Sequence, residues 1–139
     1  MDKLVVDSCV VLKWISPEKE KNVSKAVKIY RGLLKGELEL HAPFFLLVEV
    51  ANILFWKKRF ECQDIRAFIE RLTSLGINFS GDPVEFSVTK VIDLMCQYKI
   101  TSYDAQFLYL AQQLDCRLVS EDRELVKIKN WVVDLGQLD

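Results

Sequence analysis

Histidine is nearly absent: the 139-residue chain has His41 and no other. A metal site built on several imidazoles is therefore excluded. The five glycines are scattered, so no Gly-rich turn of the Rossmann or P-loop kind is present. Cys9, Cys62, Cys96 and Cys116 form no CxxC pair, and each lies in or beside an apolar run. Zinc spacing is missing, and buried, reduced thiols of a cytoplasmic protein are expected rather than a disulfide framework. No apolar run is long enough to cross a bilayer, because Lys13, Glu49 and "KKR" at 57–59 interrupt the longest, so no membrane partner is expected. "MDKLVVD" leads straight into a strand without the layout of a signal peptide, which again points to the cytoplasm. The net charge is −1 with no basic tail. That argues against indiscriminate coating of nucleic acid, but not against an enzyme that touches a few phosphates.

What is present is apolar material, half of all residues, enough for one core in a single domain spanning 1–139. Residues 3–7 read as a short buried strand, after which "VVLKWI" turns towards a loop at Pro17. Helical spacing covers 22–35, with Asn22 as cap and Gly36 as stop. "LELHAP" (38–43) is a second strand, followed by a very apolar helix from 44 to 60 and an amphipathic one over 63–75. "INFSGDP" (77–83) contains a third strand. Helices over 83–98 and 101–115, a strand at 116–120, a short helix in "EDRELVKI" and a strand at 131–135 complete the order. Short apolar strands alternating with helices predict an α/β fold, with a mostly parallel sheet of about five strands covered on both faces. Ligands of such sheets bind beyond the carboxyl ends of the strands, where strand order reverses.

Four acids have addresses at that rim. Asp7 ends the first strand, and Asp122 follows the fourth. Glu49 sits inside the most apolar helix, where a lone carboxylate is costly unless it reaches a cation or a wet cleft. Asp104 lies in the first turn after Thr101. Each also has a local role open to it. Asp7, and Asp104 with Thr101, fit helix caps, Glu49 a solvent stripe, and Asp122 with Ser120 a first turn. Gathered together, however, carboxylates repel by about 4 kcal/mol per pair at 4 Å and an effective dielectric near 20. Such a cluster calls for protonation or a cation, and oxygen-only donors favour Mg²⁺ or Mn²⁺.

Four motifs in order, "VVDSCVVLKW", "FFLLVEVANIL", "TSYDAQFLYLA" and "LVSEDREL", resemble those of PIN-domain ribonucleases, most closely the VapC-type toxins of toxin–antitoxin pairs. They extend over residues 4 to 125. The resemblance implies a single PIN-like domain and metal-dependent endonucleolytic hydrolysis of RNA, with Asp7, Glu49, Asp104 and Asp122 as the catalytic, metal-binding quartet. Asp7 and Asp104 would be direct ligands of Mg²⁺ or Mn²⁺, with Asp122 and Glu49 acting through water. Ser8 matches the hydroxyl residue after the first acid, and Ser120 a position often held by threonine; Glu121 has no assigned role. The resemblance also implies a small antitoxin partner and a homodimer. The apolar surplus in 44–56 and 63–72 suits an antitoxin groove or a dimer face as well as core. Lys13, Trp14, Lys57, Lys58 and Arg59 are candidate RNA contacts, since bases stack on aromatics and phosphates attract cations; core packing and a solvated helix end are the competing readings.

Other classes fare worse. A haloacid-dehalogenase-like phosphatase needs a second aspartate where Cys9 stands. A receiver domain needs an aspartate after its third strand and a lysine after its fifth, and "INFSG" and "VVDLG" supply neither. Two alternatives stay open: a PIN nuclease of RNA processing rather than a toxin, and a degenerate PIN module that only binds a partner.

Overall fold

The computed structural model describes residues 2–80 and 87–139. Five parallel strands, β1 (Asp2–Val6), β2 (Leu38–Pro43), β3 (Asn78–Ser80), β4 (Arg117–Ser120) and β5 (Val132–Asp134), form one sheet in the order β3-β2-β1-β4-β5. Among the described residues six α-helices connect them: α1 (Ser8–Ile15), α2 (Val23–Leu34), α3 (Phe45–Trp56), α4 (Cys62–Ser74), α5 (Val88–Tyr98) and α6 (Ser102–Gln113). The chain winds outward from β1 through β2 to β3, then returns across β1 to β4. Right-handed crossovers in opposite directions place their helices on opposite faces. Accordingly α1 packs on α2 and α3, and α3 on α4, while α5 and α6 pair with each other and α6 lies against β1, β2 and β4. The switch point falls between β1 and β4.

The core follows from this winding. Val5, Val6, Leu40, Leu118 and Val119 are sealed within the sheet, with Leu46, Val50 and Leu54 of α3 and Phe107 and Leu108 of α6 against them. Strands buried on both faces cannot alternate polar and apolar residues, which is why β1 and β4 read as continuous apolar runs. Within α2, Gly32 is set by packing: a Cβ there would stand 2.7 Å from Leu38 Cδ1.

Several boundaries differ from the sequence reading. "VVLKWI" is no turn but α1, a helix begun by Asp7, whose extended backbone and side chain cap it. The β-branched pair Val10–Val11 hides this helix from a propensity argument, and burial overrides propensity. Asn22 occupies the cap position of α2 in a left-handed conformation, without capping through its side chain. The expected helix 121–128 is a 3₁₀ turn, Leu125–Lys127. α5 starts at Val88 behind its cap Ser87, which accepts from the Lys90 amide; the expected first turn at 83–86 lies outside the described residues, as does the end of 77–83. Cys62 and Cys96 are exposed, contrary to the expectation of buried thiols, while Cys9 and Cys116 are half-buried. Both exposed thiols sit on the outer faces of amphipathic helices, where an apolar neighbourhood in sequence is not one in space.

Candidate active site

Parallel register sets the first acid. Val6 pairs with Val119, so the next residues, Asp7 and Ser120, face each other at the carboxyl end of the sheet. Asp7 is 7% exposed and Ser120 fully buried. The Cys9 amide donates to Asp7 Oδ1 (3.1 Å), and the Cys9 thiol donates to the same oxygen (2.6 Å). The Ser120 hydroxyl donates to Asp7 as well and accepts from the Asp122 amide at 3.0 Å. Ser120 thus ties the first acid to the loop carrying the last. Despite these bonds, burial dominates and pushes the Asp7 carboxyl up to about 6. Beside it, burial and then the Asp7 charge drive the Cys9 thiol far above the ordinary range, leaving it an inert donor.

The second group lies on the opposing helices. Asp104 follows Thr101, whose hydroxyl accepts from the Asp104 amide (3.1 Å) and caps α6. Burial first, then the charges of Asp122 and Glu49, raise the Asp104 carboxyl to about 6. Three acids separated by 55 and 18 positions in sequence therefore share one electrostatic neighbourhood. Phe45 and Tyr103 hold it: their rings stack at 5.0 Å and 10°, joining the start of α3 to the start of α6. Glu49 stands four residues beyond Phe45, on the same side of α3, and Asp104 is adjacent to Tyr103. Neither ring was singled out by the sequence reading; an aromatic one turn before Glu49 and another beside Asp104 were the available signal.

Among the described residues, no three acidic, cysteine or histidine side chains stand close enough to bind one ion directly. Coulomb coupling reaches further: charges ~7 Å apart still repel by about 2 kcal/mol at an effective dielectric near 20, whereas a ligand oxygen must come within about 2 Å of Mg²⁺. Local partners are also in place. Asp122, itself exposed, accepts at Oδ1 from the Glu124 and Leu125 amides (2.9 and 3.1 Å). Ser8 is half-buried in the first turn of α1.

The candidate RNA contacts divide. Lys13 is 2% exposed and lies 2.7 Å from Glu121 and 3.3 Å from Glu20, so it is a structural cation rather than a free phosphate contact. Burial opposes its charge, but the bonds and charges of Glu121 and Glu20 outweigh that and hold its pKa above the ordinary value. Trp14 is half-buried against the core: its indole N–H donates to Ala26 O (2.7 Å) and its ring packs on Tyr30. Lys58 is half-buried against Glu20 (3.4 Å), while Lys57 and Arg59 are exposed. Trp56, beside them, is 65% exposed.

The PIN domain model matches residues 4–130. No curated protein sequence matches. Among solved structures, PAE2754 from Pyrobaculum aerophilum superposes with a TM-score of 0.69 at 20% identity, covering 97% of this chain and 90% of its own. A toxin–antitoxin complex from Klebsiella pneumoniae gives 0.68 at 15%, covering 97% and 99%. VapBC2 from Rickettsia felis, bound to a DNA fragment from its promoter, gives 0.66 at 12%, covering 95% and 97%. These identities speak to the fold, and with the model spanning nearly every element described above, the chain belongs to the PIN domain family.

Proposed function

We propose that the chain is a metal-dependent endoribonuclease and the toxin of a VapC-type toxin–antitoxin pair. One observation supports this reading: Asp104 shares its electrostatic neighbourhood with Glu49 and Asp122, and Asp7 is buried opposite Ser120 at the carboxyl end of the sheet, beside its switch point. An all-oxygen set of unneutralised acids fits Mg²⁺ or Mn²⁺. Asp7 and Asp104 would hold the ion, with Asp122 and Glu49 reaching it through water. When bound, such an ion supplies Lewis-acid stabilisation of the phosphate charge and acidifies water. The protein's part is placement. The Ser120 hydroxyl fixes Asp7, the Phe45–Tyr103 stack fixes Glu49 against Asp104, and the carboxylates orient the attacking water in line with the scissile bond. Exposed Trp56 with Lys57 and Arg59 offers stacking and charge to unpaired RNA.

The fold neighbours include toxin–antitoxin complexes, and two surfaces support partners here. A cavity of about 820 Å³ between α1, α2 and α4 is lined by Trp14, Val27, Tyr30, Phe68 and Leu72, with Arg71 at its edge; an amphipathic antitoxin segment fits it. Phe44, Val48 and Phe55 form an exposed apolar stripe along α3, suited to a second copy of the chain. The local amide partners of Asp7 and Asp122 favour one other reading, a module that only binds a partner. Incubation with tRNA and rRNA fragments, with Mn²⁺ or with EDTA, decides. Cleavage that needs Mn²⁺ and is lost in Asp104→Asn is expected. Equal, absent cleavage in both proteins, together with no Mn²⁺-dependent rise in Tm, would leave the binding module.

A further inference from the structure

Lys13 and Glu121 belong to no part of that chemistry, yet Glu121 stands between Ser120 and Asp122. The Lys13 ammonium is enclosed between α1, the loop before α2 and the loop after β4, and its shortest bond is the 2.7 Å one to Glu121. The other Glu121 oxygen accepts from Asn22 Nδ2 at 2.7 Å. The Glu121 backbone amide also donates to the Cys9 sulfur, whose thiol hydrogen is given to Asp7. Residues 120–122 are therefore fastened at three consecutive points: Ser120 to Asp7, Glu121 to Lys13, Asn22 and Cys9, and Asp122 to Ser120 and the following turn. Asp122 is exposed, so its place is set by these bonds of residues 120–122 together with those of the turn that follows.

We propose that Lys13, acting through Glu121, is a positioning residue that holds Asp122 towards Asp104 and thereby sets the affinity of the rim for a divalent cation. The inference rests on the nuclease reading and deepens it. The geometry explains why a buried cation bonded to the neighbour of Asp122 does not neutralise the acids. Its charge is spent on Glu121 and Glu20, and what it gives the rim is a fixed loop. A buried cation of this kind tolerates the loss of its partner poorly.

The test compares Lys13→Met, Glu121→Gln and Glu20→Gln. Glu20→Gln removes the second ion pair of Lys13 and leaves the loop joint intact, so it controls for stability alone. Mn²⁺ is titrated against Tm, and RNA cleavage is measured at saturating Mn²⁺. Lys13→Met and Glu121→Gln should each raise the half-saturating Mn²⁺ concentration at least tenfold and lower kcat, with KM for RNA within twofold of the native value; Glu20→Gln should leave the Mn²⁺ midpoint unchanged. Should Lys13→Met fail to fold, Glu121→Gln, which keeps its volume, carries the comparison. Native Mn²⁺ midpoints in both loop variants, in a protein whose native form cleaves RNA, would overturn the positioning role alone. A native protein with neither cleavage nor a Mn²⁺-dependent Tm shift would overturn the nuclease reading and this inference with it.

Discussion

Asp7→Asn should make the metal-free protein more stable at pH 8 while removing its response to Mn²⁺. The buried Asp7 carboxyl titrates at about 6 rather than 3.8, so its charged form costs the fold about 3 kcal/mol relative to the neutral one. The folded pKa lies above the unfolded value, so the folded state holds its proton longer. Stability therefore falls as pH rises from about 4 through about 6, and the full cost stands above that. Asparagine removes the charge at nearly constant volume and can still accept the Cys9 amide and cap α1. It forfeits the extra strength of bonds made to a charged acceptor, so a net gain of about 1–2 kcal/mol is expected. For a chain of this length that is a Tm rise of about 3–6 °C. Thermal melts of both proteins at pH 4, 6 and 8 in EDTA isolate the Asp7 contribution as a difference, because Glu20 and Glu39, whose pKa values are lowered by ion pairing and hydrogen bonding, act equally in the two. Added Mn²⁺ should then stabilise only the native chain. A difference that does not change with pH, or a variant less stable than native at pH 8, would refute the claim that Asp7 is held as an unfavourable buried charge.

Glu49→Gln should leave metal-free stability unchanged or slightly higher, since it relieves repulsion on Asp104, and NMR titration should show the Asp104 carboxyl moving down towards its ordinary range. A large loss of Tm would instead mark Glu49 as the partner of a cation. Gly32→Ala should destabilise by about 1 kcal/mol in urea melts, because overlap with Leu38 Cδ1 and Cγ, at 2.7 and 2.9 Å, outweighs the helix propensity gained; a stabilised variant would show that Leu38 gives way freely. Val48→Asp, on the exposed stripe of α3 where Val48 is 56% exposed, should leave Tm within a few degrees and convert a dimer to a monomer in sedimentation velocity. An unchanged sedimentation coefficient would move the dimer face elsewhere.

The parallel sheet and its strand sequence were legible because β1 and β4 are buried on both faces, and a short apolar run ending on a polar residue fits little besides an interior strand that stops at the sheet's rim. Three of the four acids lie in one neighbourhood for a related reason: an acid inside an apolar helix, such as Glu49, must go somewhere wet. Boundaries were less legible. Nothing in "SCVVLKWI" follows an amphipathic period, since α1 touches the core nearly all round, and only the capping aspartate announces it. The burial of Lys13 was illegible for the same reason. Lysine is ordinarily a surface residue, and its partner Glu121 lies 108 positions away, so no local pattern could reveal the pair. The same separation hid Glu121, which beside Asp122 looks like one more loop acid. Trp14 and Trp56 show the limit from the other side: two tryptophans on apolar segments, one held by a hydrogen bond to Ala26 and the other open to solvent. Only the direction each helix face takes distinguishes them.

On the proposed nuclease reading the rim combines two opposed demands, and the fold meets them with different parts. A cation site needs several carboxylates near one another and uncompensated, which opposes folding. Rigid placement needs each of those groups held. Here the holding is done by groups that carry no countercharge to the acids: the Ser120 hydroxyl, the Cys9 amide and thiol, the Thr101 hydroxyl on the backbone of Asp104, and the Phe45–Tyr103 stack. The buried cation beneath them, Lys13, is occupied by Glu121 and Glu20. Had it faced Asp7 or Asp104 directly, both would be stabilised as anions and would have little left to offer an ion. Neutral fixation leaves the acids without a countercharge: burial raises Asp7 to about 6, and burial followed by the charges of Asp122 and Glu49 raises Asp104 to about 6.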